Sequence, residues 1–438
     1  MKTRSVPLQS DTIVKRLHKL HPKTIDLSLN RIKALLNRLG SPEQSLKTVI
    51  HVAGTNGKGS TIAFLKAILE SAGLIVNCYT SPHLVKFTER ILVEGKQLEE
   101  DILINLLREC ETANAKNPIT FFEITTAAAL LVFSRSNADV NLIETGLGGR
   151  FDATNVFEKP ALSIITPISM DHMKWLGNTL SAIAYEKAGI LKPATTTIVA
   201  PQKSEVKEVI KNRGDNVGAR LLLYNTHWTF DIQSDGFSLI DNNTNIKLPN
   251  PSLIGIHQIT NAAAAAISAR HIPNLAITDL AIEKGLRNTK WPGRLERLVS
   301  GPLVSLLPKG WSLWLDGGHN VAAAEALTEV VKQWTDQKLY TIFGCLNTRD
   351  PYDFLSPLAQ HIDQLFAVTI PGEKNSLPGT AVASAAKRVG ISSFVAESVK
   401  DAITVIPNGK IGQGRVLICG SLYLVGAVLS EQQNNFPN

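Results

Sequence analysis

A short β-prone run, Lys47–Val52, passes straight into Gly54-Thr55-Asn56-Gly57-Lys58-Gly59 and then into a helical segment, Ser60–Ser71, that stops near Gly73. No other stretch restricts the fold as tightly. A strand that turns at once into a helix is the unit from which parallel sheets are built, and parallel sheets are buried on both faces. The same alternation continues along the chain. Leu74–Tyr79, Val140–Glu144 and Ala161–Thr166 read as strands, and Leu98–Ala115 and Phe121–Phe133 as helices. Ahead of them, Ile25, Leu29, Ile32, Leu35, Leu36 and Leu39 keep helical spacing until Gly40 and Pro42 end the run. The pattern predicts a mostly parallel sheet covered on both sides, with ligands held beyond the carboxyl ends of its strands. The polar loops after Val52, Glu144 and Thr166 stand at such ends.

Between Leu221 and Leu248 the rhythm changes to short β-rich pieces broken by Ser234-Asp235-Gly236 and Asp241-Asn242-Asn243, which predicts a small antiparallel section attached to the first domain. Helical segments His257–Arg270 and Thr278–Arg287 follow, and Trp291-Pro292-Gly293-Arg294 punctuates the chain. Beyond it, strands near Leu313–Leu315, Leu339–Phe343, Gln364–Val368 and Val416–Cys419 alternate with helices. A chain of 438 residues exceeds one ordinary core. The expected division is therefore 1–293 for the first domain and 294–438 for a smaller, Rossmann-like α/β domain.

Composition narrows the function classes. Met1–Asp11 has basic residues without the apolar core of a signal peptide, and Thr126–Phe133 and Ala262–Ile267 are too short to span a bilayer. Cys78, Cys110, Cys345 and Cys419 lie far apart, as reduced, buried thiols do, so a cytoplasmic protein is expected. The net charge of +7 comes from scattered lysines and arginines with no basic run, which disfavours nucleic acid and suits small polyanions.

The loop from Gly54 to Ser60 carries the sharpest chemical signal. Its glycines let successive N–H groups turn toward one anion, and the helix that follows adds a favourable dipole. Lys58 supplies a point charge for outer phosphates, and a hydroxyl of Ser60 or Thr61 can reach a magnesium ion or a phosphate oxygen. The spacing departs from Walker A: Val52 replaces the first glycine, and Gly59 separates lysine from hydroxyl. Other residues are plain by pattern alone. Phe121 and Phe122 read as core positions of a helix, His172 as a loop histidine, Lys187 as a solvated lysine near a helix end, and Asp316-Gly317-Gly318 as a turn.

Taken in order, however, the motifs resemble one family. Gly54-Thr55-Asn56-Gly57-Lys58-Gly59-Ser60 is similar to the phosphate loop of the Mur-ligase superfamily. Thr80-Ser81-Pro82-His83-Leu84, Thr120-Phe121-Phe122-Glu123, the run Glu144–Asn155, Asp171-His172, Tyr185-Glu186-Lys187-Ala188-Gly189-Ile190, His257-Gln258 with Asn261, Trp291-Pro292-Gly293-Arg294, Asp316-Gly317-Gly318-His319-Asn320 and Gly420–Gly426 resemble the dihydrofolate synthase/folylpolyglutamate synthase family.

That resemblance implies an ATP- and magnesium-dependent ligase joining L-glutamate to dihydropteroate and to folates. It implies an N-terminal P-loop ATPase domain and a C-terminal glutamate-ligase domain, a monomer, and no nucleic-acid or membrane partner. Thr55, Asn56, Gly57, Lys58, Gly59 and Ser60 would hold the ATP phosphates, with Asn261, Arg294, Asp316 and His319 completing the nucleotide site and Asn320 beside them. Ser81 and Glu144 would bind one magnesium ion and His172 a second. Lys187 would be carbamylated, and Lys58, His172 and Lys187 would carry catalysis. Phe122, Glu123, Phe151, Asp152 and Ala153 would form the dihydropteroate pocket, with Asp26 nearby.

Two departures fall in the second domain: arginine at Arg349, where the family has lysine, and no arginine after Pro371. Another Mur-type ligase, acting on a cell-wall nucleotide precursor, would share the phosphate loop but lack the Phe122 and Asp152 segments. A dinucleotide fold on Gly146-Leu147-Gly148-Gly149 fails because Phe151 stands where the last glycine belongs and no helix opens there.

Overall fold

A computed structural model describes residues 27–242, 244–406 and 413–433. Asp26 lies outside the described residues. The chain divides into two compact units: residues up to Ser252 with Ile259–Thr289, and Leu253–Gln258 with the residues from Lys290 on.

The first unit is built on eight strands: β1 (Thr48–Ala53), β2 (Val76–Tyr79), β3 (Ile91–Val93), β4 (Lys96–Gln97), β5 (Val140–Glu144), β6 (Leu162–Ile165), β7 (Thr196–Val199) and β8 (Arg220–Leu223). They lie in the order β4-β3-β2-β5-β1-β6-β7-β8. All pairs from β2 to β8 are parallel, and β3 and β4 form an antiparallel edge. The register sets four strand ends level. Tyr79 lies opposite Ile143, Val52 opposite Glu144, and Ala53 opposite Ile165. The loops after β2, β5, β1 and β6 therefore leave the sheet side by side.

Both faces are covered because β1 is buried on both, its buried side chains apolar except for His51. Its alternation sends Val49, His51 and Ala53 to one face and Ile50 and Val52 to the other. Helices α1 (Asn30–Arg38), α3 (Glu100–Asn114) and α4 (Phe121–Ser134) bury their apolar stripes in one cluster with Val49, Tyr79 and Ile143. Helix α2 (Lys58–Ser71) packs on β1, β2 and β5. After β6 come a short turn of helix, α5 (Met173–Leu176), then α6 (Leu180–Lys187) and α7 (Ser204–Val217). Further along are α8 (Ile256–Arg270) and α9 (Asp279–Asn288), and α9 packs against α2.

The antiparallel section is the ribbon β9 (Trp228–Gln233), β10 (Gly236–Asp241) and β11 (Thr244–Pro249), in the order β11-β10-β9. The front of the stretch expected to be antiparallel behaves differently. Leu221–Leu223 belongs to β8 and extends the parallel sheet beside β7, because α7 makes the crossover and Gly218, at φ +70°, ends it.

Among the described residues the second unit has six strands: β12 (Glu296–Leu298), β13 (Ser312–Leu315), β14 (Lys338–Phe343), β15 (Gln364–Ala367), β16 (Ser393–Val395) and β17 (Gly414–Cys419). Their order is β12-β13-β17-β14-β15-β16, with only β12 antiparallel.

The α2–α9 contact is close enough to test. A Cβ added to Gly285 of α9 would collide with the backbone of Ile68 in α2. Alanine usually strengthens a helix by about 1 kcal/mol over glycine. Here backbone against backbone leaves nothing flexible to yield. Gly285→Ala should therefore destabilise the protein by roughly 1–3 kcal/mol, read as a lower urea midpoint. An unchanged or higher midpoint would show that the helices separate freely.

Candidate active site

The phosphate loop is shaped by what stands behind it. Gly54 follows β1, and a Cβ there would collide with Thr166 Oγ1. That hydroxyl donates to Asn56 O at 2.8 Å, while the N–H groups of Thr55 and Asn56 both donate to Pro167 O, at 3.0 and 3.2 Å. Thr55 Oγ1 donates to Ser169 O and accepts from Ser169 N, both at 3.1 Å. Gly57, at φ +85°, caps α2, and Asn261 Oδ1 of α8 stands where its side chain would be. Helix α2 starts at Lys58, two residues before the sequence pattern places it. The N–H groups of Lys58, Gly59 and Ser60 thus belong to its first turn, where no helical carbonyl faces them. Such a turn is an anion site.

Beside it, Glu144 closes β5 and is buried. Its Oε2 accepts from the N–H of Ser81, in the loop after β2, at 3.2 Å, and its Oε1 lies 3.8 Å from Lys58 Nζ. Lys58 Nζ also donates to Thr55 O at 3.3 Å. His172 has φ +49° and a half-exposed side chain, with Nε2 3.7 Å from Asp171 Oδ1. Among the described residues no three His, Cys, Asp or Glu side chains gather closely enough to hold a metal by themselves. One carboxylate, one hydroxyl and open positions for water and phosphate oxygens suit magnesium, which keeps several waters.

Lys187 departs from its plain reading as a solvated lysine. It is buried at the end of α6, and its Nζ donates to Gly54 O at 2.7 Å. The segment is drawn inward by its backbone: Arg150 N donates to Glu186 O at 2.7 Å, and Asn155 Nδ2 donates to Gly189 O at 3.1 Å. Burial lowers the Lys187 pKa from 10.5 to about 7; Lys58 pushes the same way, and Asp171, Asp152 and Glu144 oppose it.

The residues expected around a pterin divide into two groups. The turn Gly146-Leu147 joins the first. The Phe122 ring lies where a Cβ on Gly146 would stand, and it stacks on Tyr79 with centroids 6.1 Å apart. Asp152 is buried, with Oδ2 accepting from Leu147 N at 2.7 Å and Oδ1 from Thr154 N at 2.9 Å. Burial raises its pKa, and these hydrogen bonds oppose the rise. Ala153 is buried next to it.

Glu123 and Phe151 form the second group. Glu123 closes a capping box on α4, accepting from Thr120 N at 2.7 Å, and pairs with Arg31 of α1 at 3.1 Å. Phe151 is exposed, and the Arg150 guanidinium lies 4.3 Å over its ring and 5.0 Å from that of Tyr185. Sequence reading passed over Tyr79, Arg31 and Tyr185. Arg31 is one of three cations on α1, with Lys33 and Arg38, so pattern alone did not single it out.

In the second unit, Asp316 follows β13, and its carboxylate accepts from Leu295 N at 2.9 Å and Gly318 N at 2.7 Å. His257 is partly buried within electrostatic reach of Asp316 and Arg294, and that burial holds its pKa down. His319 Nδ1 lies 2.9 Å from Gly317 O, and Arg349 donates to His319 O at 2.7 Å. Asn320 caps the helix Val321–Val331.

Comparison with known proteins resolves what this arrangement belongs to. The Mur ligase middle domain matches residues 52–269, and the Mur ligase glutamate ligase domain matches residues 293–422. The dihydrofolate synthase/folylpolyglutamate synthase of Bacillus subtilis is 35% identical over 91% of this chain and 94% of its own. The chain belongs to the dihydrofolate synthase/folylpolyglutamate synthase family. Escherichia coli FolC in complex with DHPP and ADP superposes with a TM-score of 0.86 at 31% identity, covering 96% of this chain and 97% of that one. The Yersinia pestis bifunctional enzyme complexed with AMPPNP and Mn gives 0.85 at 29% identity, covering 97% and 99%.

As a member of this family the protein is an ATP-dependent carboxylate–amine ligase that adds glutamate to pteroate and folate substrates. No helix among its described residues is long and apolar enough to cross a membrane.

The buried amine of this ligase has a measurable consequence. Because the folded-state pKa of Lys187 lies below the unfolded 10.5, the unfolded chain binds more protons between about pH 7 and 10.5. Stability then rises with pH across that window; below pH 7 both states are protonated and the slope vanishes. Lys187→Met removes the effect. In bicarbonate-free buffer, wild type should gain on the order of 2 kcal/mol over the variant between pH 7 and pH 9, measured by urea unfolding. A difference that stays constant with pH would mean that Lys187 is not buried as a free amine.

Proposed function

We propose that the protein carries out both ligations: glutamate onto dihydropteroate, giving dihydrofolate, and further glutamates onto the γ-carboxylate of folates. The observation that carries this reading is the joint placement of Phe122 and Asp152 on the Gly146-Leu147 turn, two residues beyond Glu144. A flat ring with an amino edge fits an aromatic face and a buried acceptor set side by side. The site residues would then act as follows. Thr55, Asn56, Gly57, Lys58, Gly59 and Ser60 hold the ATP phosphates. Asn261 lies against that loop from α8, and Arg294, Asp316 and His319 would also contact the nucleotide. Phe122, Asp152 and Ala153 hold the pterin. Glu123 supports that wall through α4, and Phe151 serves at its exposed rim.

The substrate carboxylate attacks the γ-phosphorus of ATP, the bond to the β-phosphate oxygen breaks, and ADP leaves. The glutamate amine then attacks the acyl carbon, phosphate departs with the bonding pair, and the nitrogen loses its proton. Lys58 and the first turn of α2 meet the charge that builds on phosphate oxygens. Ser81 and Glu144 would hold one magnesium ion and His172 a second. Two bound ions would neutralise phosphate charge during transfer. Lys187 fits carbamylation, because an amine with a pKa of about 7 is substantially unprotonated at neutral pH and can attack carbon dioxide. The product carbamate would replace a cation beside Lys58 with an anionic oxygen donor. We read the enzyme as a cytoplasmic monomer, in keeping with four unpaired, buried cysteines.

Phosphate release with ATP, glutamate and either dihydropteroate or a reduced folate monoglutamate tests the reading. Both acceptors should support turnover; release with the folate alone would reduce the protein to a folylpolyglutamate synthase. Glu144→Gln should lose most activity and recover only part of it at raised magnesium. A magnesium titration that overlays wild type would remove Glu144 from the metal site.

A further inference from the structure

The central strand β1 carries one buried side chain that the reaction above does not use. His51 is fully buried on the face of β1 that it shares with Val49 and Ala53, opposite Ser163 of β6, with Phe157 edge-on to its ring at 6.0 Å. A polar ring in such a place costs stability unless it is hydrogen-bonded, and isoleucine or valine would fill a parallel strand without that cost. His51 does have one partner. Its Nε2 lies 2.8 Å from Thr154 Oγ1, and Thr154 Oγ1 lies 2.5 Å from Asp152 Oδ1. Its Nδ1 has no hydrogen-bond partner among the described residues.

Those contacts fix the direction of the chain. Burial keeps the imidazole neutral, lowering its pKa to about 3, so the ring holds one proton. On Nδ1 that proton would be an orphaned buried donor, and orphaned N–H groups are rarer than unsatisfied acceptors. On Nε2 it is donated to Thr154. The Thr154 hydroxyl, its lone pair then occupied, directs its own proton to Asp152 Oδ1. The reverse tautomer would draw the hydroxyl proton toward the ring and leave that carboxylate oxygen with Thr154 N alone.

We propose that His51 is a positioning residue for the pterin pocket: through Thr154 it locks the Asp152 carboxylate in the orientation that receives the amino edge of the substrate's flat heterocycle. Leu147 N holds the other carboxylate oxygen at 2.7 Å, so the group is fixed at both ends. This rests on the reading that Asp152 contacts the pterin. His51 also lies three residues before Gly54, so the test has to separate the pocket from the phosphate loop.

The variants are His51→Leu, His51→Gln, Thr154→Val, the His51→Leu/Thr154→Val double mutant and Asp152→Asn. Each is assayed for the KM of dihydropteroate, the KM of ATP and the Kd of MgADP. His51→Leu should raise the KM for dihydropteroate about tenfold, the scale of one buried hydrogen bond, with the ATP and MgADP values unchanged. His51→Gln, whose amide N–H can reach the place of Nε2, should recover most of the loss. Because the two residues form one chain, the double mutant should be no worse than Thr154→Val.

A normal dihydropteroate KM in His51→Leu or in Thr154→Val, equal damage to the nucleotide values, or multiplicative effects in the double mutant would each overturn the proposal. If His51→Leu does not fold, Thr154→Val, which keeps shape and breaks both links, decides alone. Asp152→Asn separates the two levels of inference. Impaired Asp152→Asn with normal His51→Leu removes only the relay, whereas normal Asp152→Asn removes the pocket reading as well.

Discussion

The site depends on the turn at Gly54. Thr166 occupies the space that a side chain there would need, and only with that space free can Thr166 and Pro167 hold Thr55 and Asn56 by their backbones. The loop so fixed lets α2 begin at Lys58, which places three N–H groups and an ammonium on one side of the strand end. It also leaves the Gly54 carbonyl pointing toward α6, where Lys187 Nζ donates to it. A side chain at position 54 would disturb the phosphate loop and the Lys187 contact together. Those two features belong to one packing solution.

Charge follows from that packing. Lys58 and Lys187 are brought close enough to act on each other, and Glu144, Asp152 and Asp171 lie around them. Water would screen such a group; burial removes the screening and lets each charge alter its neighbour. Lys187 yields because it is the more enclosed of the two lysines. Its lowered pKa follows from burial of the segment whose backbone Arg150 holds at Glu186 and Asn155 holds at Gly189.

Much of the architecture was legible because it is written in local signals. Apolar runs ended by glycine or by a polar loop gave β1, β2, β5, β6 and the main strands of the second unit. What was missed was short or disguised. The strands β3, β4, β12 and β16 are two or three residues long, and β7 begins in a row of threonines. Site residues followed the same rule. The loop from Gly54 to Ser60 announced itself, whereas the adjacency of Ser81 and Glu144 depends on β2 lying beside β5, which no local pattern states. Glu123 shows the opposite difficulty. Thr120-Phe121-Phe122-Glu123 fits a capping box, and that local role is the one its carboxylate fills, reinforced by Arg31 from ninety-two positions upstream. Lys187 was misplaced by pattern because its burial comes from contacts with residues far from it in sequence.

Buried polar groups in this sheet are of two kinds, and the difference lies in where their hydrogen bonds end. Asn77 of β2 donates to Asn141 Oδ1 of β5 at 2.9 Å and to Ser136 Oγ at 2.8 Å, and its own oxygen accepts from Glu94 N at 2.8 Å. That network closes on itself, tying β2 to β5 and to the edge of the sheet, and a closed network contributes rigidity. The chain from His51 does not close. It starts at a ring nitrogen with one partner and ends on a carboxylate whose neighbours, Leu147 and Phe122's turn, belong to the proposed substrate wall. The far end is a carboxylate held by Leu147 and Thr154 beside the Phe122 ring, and the proposed pocket depends on how it is oriented. The same sheet thus holds a polar group whose hydrogen bonds stay within the fold and one whose hydrogen bonds run to the turn that bears the proposed pocket.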